Sequence, residues 1–276
     1  MLYLVSTPIG NLGDISARAK DVLESADYVA CEDTRTSGQL FNLLGIKAKK
    51  MIAYHDHNAD KARPKLITLL QDDKTIALVS DAGTPLISDP GYKLVRDCIA
   101  NHIKVSTVPG ANAVLSALQL SGLSSASFYF GGFLPPKSGA RKNHLAGVKA
   151  LKSTLIFYET PNRLLDALQD ILSEYGNRQV AVVRELTKKF EETRLDSVQN
   201  LINYYTEFGL PKGELVLVIE GASDQPAISI DWPKFIKSVR PQYPVKQAAA
   251  LLSEQTGYSK KFIYQLILSY EKENKL

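Results

Sequence analysis

The chemistry-bearing residues of this sequence gather in short polar stretches, each behind a short apolar run. Ser80-Asp-Ala-Gly-Thr-Pro-Leu-Ile-Ser-Asp-Pro-Gly91 holds two Asp, two Gly and two Pro. It follows Thr75-Ile-Ala-Leu-Val79, which has the pattern of a buried strand, and precedes 92–100, which reads as a helix. A strand that runs into a loop and then a helix puts the loop at the carboxyl end of a parallel sheet, where ligands of open α/β sheets collect. Gly83 lets backbone approach a ligand closely, and Pro85 and Pro90 stiffen the loop. Ordinary connections of this kind span about 2–6 residues, and this one is longer. Glu32-Asp-Thr-Arg35 follows Tyr28-Val-Ala-Cys31, and His55-Asp-His-Asn58 follows Met51-Ile-Ala-Tyr54. Strand ends of one parallel sheet share an edge, so these carboxylates and imidazoles should converge on it. The competing reading of Glu32-Asp-Thr-Arg35 is a salt-bridged cap on the helix that follows.

The elements that must position these groups are legible in outline. Leu2-Tyr-Leu-Val5 reads as the first strand. Ser6-Thr-Pro-Ile-Gly-Asn-Leu-Gly-Asp14 is a second Gly/Pro loop, and 15–25 a helix with Asp14 as its N-cap. Residues 36–44 read as a helix stopped by Gly45. Val105-Ser-Thr-Val108 is a strand, and Pro109-Gly-Ala-Asn112 leads into a small-residue helix over 113–120. Those small residues let the helix start approach a ligand carboxylate, or they serve tight packing. The pattern restarts at 123–127. Strands are expected at 128–130, 153–158, 180–183 and 215–219, with 131–136 a rigid turn and 191–196 a hairpin partner. Antiparallel pairing is expected in this half, so its sheet should be mixed. Beyond a polar linker at 223–231 with Pro226, three short helices follow, with Gly257 breaking the last two in a helix-turn-helix outline. The reading is an α/β fold with a parallel-sheet domain over 1–122, a mixed-sheet domain over 123–222 and a helical tail over 223–276.

Composition excludes several classes. The 276 residues suggest about two domains. No run of about 18 apolar residues is present to cross a membrane. Met1-Leu-Tyr-Leu-Val enters a strand pattern without a charged leader, so a cytoplasmic location is expected. Cys31 and Cys98 sit in apolar patterns and are expected to be reduced and buried. No CxxC or HExxH spacing occurs, so no metal is expected, and no GxGxxG or GK[ST] loop marks a dinucleotide or phosphate site. The net charge is +4, yet residues 223–276 alone hold 8 Lys/Arg and 5 Asp/Glu. The 137–152 stretch holds Lys137, Arg141, Lys142, Lys149 and Lys152 with no acid. Both segments suit a polyanion, although a solvated charged face is the commoner use of either.

Taken together, the loops at 6–14, 32–35, 54–58 and 80–91, with Gly132-Phe-Leu-Pro-Pro-Lys137, Arg184-Glu-Leu-Thr-Lys188 and 213–221, resemble the ribosomal small-subunit RNA cytidine-2′-O-methyltransferases of the tetrapyrrole methylase superfamily. The resemblance runs in order over nearly the whole chain. Asp56 stands where that family has Glu, and Ala111-Asn112 where Pro-Ser is usual. The resemblance implies a two-domain α/β fold, a homodimer, and S-adenosyl-L-methionine in the cleft between the domains. By position, it implies that Asp81, Ala82, Gly83, Thr84, Leu86 and Ile87 line the cofactor pocket. Asn112 and Ala113 would contact the adenosyl part, and Tyr158 and Leu186 would close over the adenine. It also implies methyl transfer to a cytidine 2′-hydroxyl in the decoding region of 16S ribosomal RNA, free or in the small ribosomal subunit. For that chemistry Glu32, Asp33 and His55 are candidate bases, with His55 against His57 undecided. Arg18, Arg35, Arg141, Lys142 and Lys188 are candidates for RNA contact. His102 and His144 read as surface histidines, and Tyr3, Tyr92 and Tyr129 as core or interface.

Two other readings compete. One is a superfamily relative that methylates a tetrapyrrole or a protein side chain, which would need neither the tail nor the basic stretch. The other is a nucleic-acid-binding regulator whose α/β body only senses a metabolite, which would bind RNA without turning over cofactor.

Overall fold

Alternation of short apolar runs with amphipathic stretches builds a parallel sheet flanked by helices. The computed structural model describes residues 1–223, 232–256 and 260–274. Its first half holds β1 (Leu2–Val5), α1 (Ala17–Ser25), β2 (Tyr28–Cys31), α2 (Thr34–Leu44), β3 (Met51–Ala53), α3 (Ala59–Gln71), β4 (Ile76–Val79), α4 (Tyr92–Ala100), β5 (Val105–Val108) and α5 (Ala113–Leu120). The strands lie in the order β3-β2-β4-β1-β5, and every pair is parallel. Ala19 and Leu23 of α1 and Phe41 of α2 pack on Val5, Val29 and Val79. Leu66 of α3 and Leu94 of α4 pack on the opposite face with Leu2, Ala30 and Leu78. Neighbouring β1 and β4 therefore send the chain to opposite faces of the sheet. Such a reversal is a topological switch point, at whose carboxyl edge ligands of open α/β sheets bind.

The second half continues with β6 (Phe128–Phe133), α6 (Ser138–Val148), β7 (Thr154–Glu159), α7 (Leu164–Tyr175), β8 (Gln179–Arg184), β9 (Glu192–Ser197), α8 (Val198–Phe208) and β10 (Leu215–Ile219). Its order is β6-β7-β10-β8-β9. Only β6 and β7 are parallel, so this sheet is mixed as the sequence suggests. Helices α6, α7 and α8 cover one face. The other face is plated by Val114, Ala117 and Leu118 of α5, which belongs to the first half. Both sheets fall within one compact unit, Met1–Ala222, and Ser223–Leu276 forms a second. The second unit contains α9 (Trp232–Val239), α10 (Val245–Thr256) and α11 (Lys260–Asn274), packed around Ile236, Leu252, Ile263 and Ile267. The expected linker at Pro226 and break at Gly257 lie outside the described residues. Among the described residues no helix is long and apolar enough to cross a membrane.

Local chemistry moves three expected boundaries. Helix α1 is capped by the Ser16 side chain, which accepts from the Ala19 amide, rather than by Asp14. Asp14 instead ends a 3-10 turn over Leu12–Asp14 capped by Asn11. The expected turn at 131–136 is strand as far as Phe133, with an irregularity after Phe130. Gly131 permits this, because a Cβ there would lie 2.3 Å from Phe157 Cε1. Helix α3 forms where the sequence pattern marks no helix. It holds Pro64 in its interior, which normally disfavours a helix, but burial of Leu66 and Leu70 keeps it in place.

Candidate active site

Three loops meet at that edge and fix one another. Thr7 and Gly83 exchange backbone hydrogen bonds of 2.9 and 3.1 Å, joining the loop after β1 to the loop after β4. The Thr84 hydroxyl donates to the Ala111 carbonyl at 3.0 Å, joining the loop after β5. Gly83 has φ +83°, and a Cβ there would lie 3.2 Å from Ile9 Cγ2. Leu86 and Ser88 adopt left-handed backbone conformations with φ of 73° and 66°. Such conformations cost energy in non-glycine residues and are held by the surrounding structure. At Gly91, φ +137°, a Cβ would lie 2.7 Å from Leu86 Cδ1, so the loop folds back on its own end.

These loops form one wall of a cavity of about 410 Å³, and the ends of β7 and β10 form the other. That volume is in the range of small-molecule sites. Asp81, Ala82, Gly83, Thr84, Ile87, Asn112, Ala113 and Tyr158, all expected at a cofactor pocket, line it. Leu86 and Leu186 do not. Leu86 turns onto the core under α3 and α4, and Leu186 is buried against the second sheet with Val183 and Val216. Asn112 spends its side-chain oxygen capping α5, accepting from the Leu115 amide at 3.1 Å. Residues not singled out from the sequence complete the lining, among them Ile9, Asp89, Phe133, Glu214 and Val216. Each lies in or next to a loop whose motif was legible; which residue of the motif faces the cavity was not. Tyr158 packs edge-on against Phe130 and Phe133 at 5.0 and 5.2 Å between ring centroids. Burial, with Asp89 and Glu214 nearby, pushes its phenol up to about 12.

An acidic rim borders this apolar wall. Burial raises the Asp89 carboxyl to about 6, with the Glu32 charge adding to the effect. Burial also raises Glu32, with Asp81 and Asp56 next in effect and His55 opposing. Of the three candidate bases, Glu32 is half-buried in this cluster and does not line the cavity. Asp33 is a correction to the sequence reading. It caps α2, and both its oxygens accept from Arg35, at 2.8–3.2 Å. Those bonds hold it down to about 2, making it a weak base. His55 is half-buried behind the rim, with its Nδ1 buried and unpartnered and its ring 6.1 Å from that of His57.

The candidate RNA contacts divide. Arg18 is exposed, with one guanidinium nitrogen donating to the Thr107 carbonyl. Arg35 is 86% exposed beyond its pairing with Asp33. Lys188 is held between Glu185 and Glu214 at 3.0 and 2.9 Å, with its stem against Gly10. Lys142 is partly exposed, 3.6 Å from Asp170. Arg141 is 2% exposed and ion-paired with Asp170 at 2.7 Å, so the sequence reading is corrected there: no phosphate can reach it. His144 also differs from expectation, half-buried with Nε2 unpartnered and its ring 5.7 Å from that of Phe157. Tyr92 is exposed, whereas Tyr129 packs edge-on against Phe157.

The lining fits an adenosyl sulfonium. The apolar wall of Ile9, Ile87, Phe133 and Val216 suits an adenine, and Asp81, Asp89 and Glu214 carry charge opposite to a sulfonium or ammonium. The sequence profile of the family described as Tetrapyrrole (Corrin/Porphyrin) Methylases matches residues 1–202. A protein named Ribosomal RNA small subunit methyltransferase I from Mesorhizobium japonicum is 46% identical over 97% of this chain and 91% of its own length. One of the same name from Pasteurella multocida is also 46% identical, over 98% and 97%. The solved structure of uroporphyrin-III C-methyltransferase from Thermus thermophilus complexed with S-adenosylhomocysteine has a TM-score of 0.54 at 16% identity. It covers 79% of this chain and 96% of that one, which shows the fold alone.

Proposed function

Since the chain belongs to the tetrapyrrole (corrin/porphyrin) methylase family, we propose that it transfers a methyl group to the 2′-hydroxyl of a cytidine in the decoding region of 16S ribosomal RNA. That it is an S-adenosylmethionine-dependent methyltransferase follows from the family. The choice of ribosomal RNA as acceptor rests on near-full-length similarity to proteins named for that activity.

The bound cofactor supplies an activated methyl on a good leaving group. This chain's residues supply position. The 80–91 loop and the ends of β7 and β10 hold the adenosyl part between them, and the Tyr158 and Phe133 rings exclude water from one side. Fixing three reacting atoms in line contributes up to about 7–11 kcal/mol in favourable cases. Arg18, Arg35 and Lys142 are the candidate cations left at the surface to hold phosphates. The site residues and the domain limits at 122 and 222 belong to this proposal.

A cytoplasmic location and a homodimer belong to the same reading. Leu115 and Leu120 of α5 and Leu195 of β9 are exposed apolar side chains that a second copy would cover. Light scattering of the purified protein checks the dimer, with twice the chain mass expected. The acceptor is tested by incubating the protein with methyl-labelled S-adenosylmethionine and small ribosomal subunits from cells lacking it. Label is expected in the RNA; label in ribosomal protein, or in none of the fractions, would contradict the assignment.

A further inference from the structure

We propose that Asp89 is the group that takes the proton from the acceptor hydroxyl as the methyl group is transferred. The assignment rests on the methyltransferase reading above and names its base.

Four carboxylates line the cavity, and three of them have a partner on at least one oxygen, although Glu159 Oε2 is buried without one. Asp81 Oδ1 accepts the Asp33 amide at 3.2 Å. Glu159 is 2% exposed, and its Oε1 accepts from Arg163 and from the Thr160 amide. Glu214 is paired with Lys188 at 2.9 Å. Among the described residues no cation pairs with Asp89, and its one side-chain hydrogen bond comes from Ser80, which opposes the rise in its pKa. The groups that face it are Glu32 from the end of β2, Asp56 from the loop after β3, Ser80 and Asp81 from the end of β4, and Tyr158 from β7 across the cavity. Ser88 before it and Gly91 two positions after it both have positive φ, 66° and 137°, so the backbone turns sharply on either side of Asp89. Asp89 thus joins the cavity to the acidic rim that holds Glu32, the base candidate outside the lining. Burial and like charges raise it to about 6, so it is ionised at neutral pH yet binds a proton more readily than an ordinary carboxylate, as a general base requires.

The step balances. The hydroxyl proton goes to an Asp89 carboxylate oxygen while the ribose oxygen forms its bond to the methyl carbon. The carbon–sulfur bond breaks, and its electron pair stays on sulfur, leaving a neutral thioether. Asp89 then releases its proton to solvent.

The test compares two ligands that differ in that sulfur charge. Affinities of wild type and Asp89→Asn for S-adenosylmethionine and S-adenosylhomocysteine are measured by calorimetry at pH 5 and pH 7.5, with single-turnover methyl transfer alongside. If Asp89 faces the reacting sulfur, wild type loses more affinity for the cationic ligand than for the neutral one on acidification. In Asp89→Asn that difference disappears, affinity for the neutral ligand is kept, and transfer slows about 100-fold or more. Equal pH dependence of the two ligands in wild type, or wild-type transfer by Asp89→Asn, overturns the assignment. Glu32→Gln leaves Asp89 in place and removes a neighbouring like charge. It should move the acid limb of the transfer profile to lower pH, and an unmoved limb also overturns the proposal. Failure of both ligands to bind wild type would instead strike the cofactor reading itself.

Discussion

Arg141 and Asp33 show how far one residue's role depends on partners that spacing alone does not reveal. Arg141 stands among five cations in a stretch without acids, yet Asp170, 29 positions later, draws it into the core. Asp170 also accepts from the Ser138 hydroxyl at 2.9 Å. Arg141→Ala removes the main partner of a buried carboxylate, leaving it Ser138 and the more distant Lys142, and should cost about 3 kcal/mol in urea unfolding. Lys142→Ala, at the rim of the same pair, should change stability little. Asp33 and Asp89 predict opposite pH behaviour. Asp33 is held down to about 2, so the stability it contributes is present above its ordinary pKa and is lost as pH falls from about 4 to about 2. Asp89 is raised to about 6, so its contribution is full below about pH 4 and is lost as pH rises through about 6. Thermal melts of the cofactor-free protein should show Asp89→Asn more stable than wild type at pH 8, with the gain gone at pH 4. A gain independent of pH would remove the charge explanation.

The 80–91 loop carries the site at the scale of elements. Gly83→Val places a branched side chain at φ +83° with Ile9 Cγ2 beside it, so the loop must shift away from Thr7. Such a variant should lose the rise in melting temperature that S-adenosylmethionine gives wild type. An undiminished rise would place the cofactor elsewhere. The loop was legible because Gly, Pro and Asp have strong local meanings after a β-branched run. The parallel first sheet was legible because four-residue runs alternate with helical stretches. What local chemistry does not encode was missed. Ile9 faces the cavity because the loop after β1 packs beside Gly83, and Phe133 and Glu214 because β6 and β10 bring them to it. The resemblance implies Leu186 at the pocket, whereas it packs in the core with Val183 and Val216. Helix α3 was hidden by Pro64, whose local cost is outweighed by burial that only the folded sheet provides.

Charge is partitioned at the scale of the whole molecule. The second compact unit begins at Ser223, and residues 223–276 carry 8 of the 33 Lys and Arg against 5 of the 29 acids. Among the described residues, those that line the cavity belong to the first unit. A chain ending at Ala222 should therefore keep cofactor affinity and bind RNA more weakly. Its log–log salt dependence should flatten by about 0.7–0.9 for each phosphate that the tail neutralises in the full chain. A melt of the truncated chain run alongside separates weaker phosphate binding from a failure to fold, and an unchanged salt slope in a folded chain would make the tail a solvated surface. The central claim is methyl transfer to a ribose oxygen of 16S RNA. It is tested most directly by digesting RNA from labelled small subunits to nucleosides and identifying the modified one by mass spectrometry. The account predicts 2′-O-methylcytidine, absent from the reaction without protein; label on a nucleobase, or on a ribose other than that of cytidine, would contradict it.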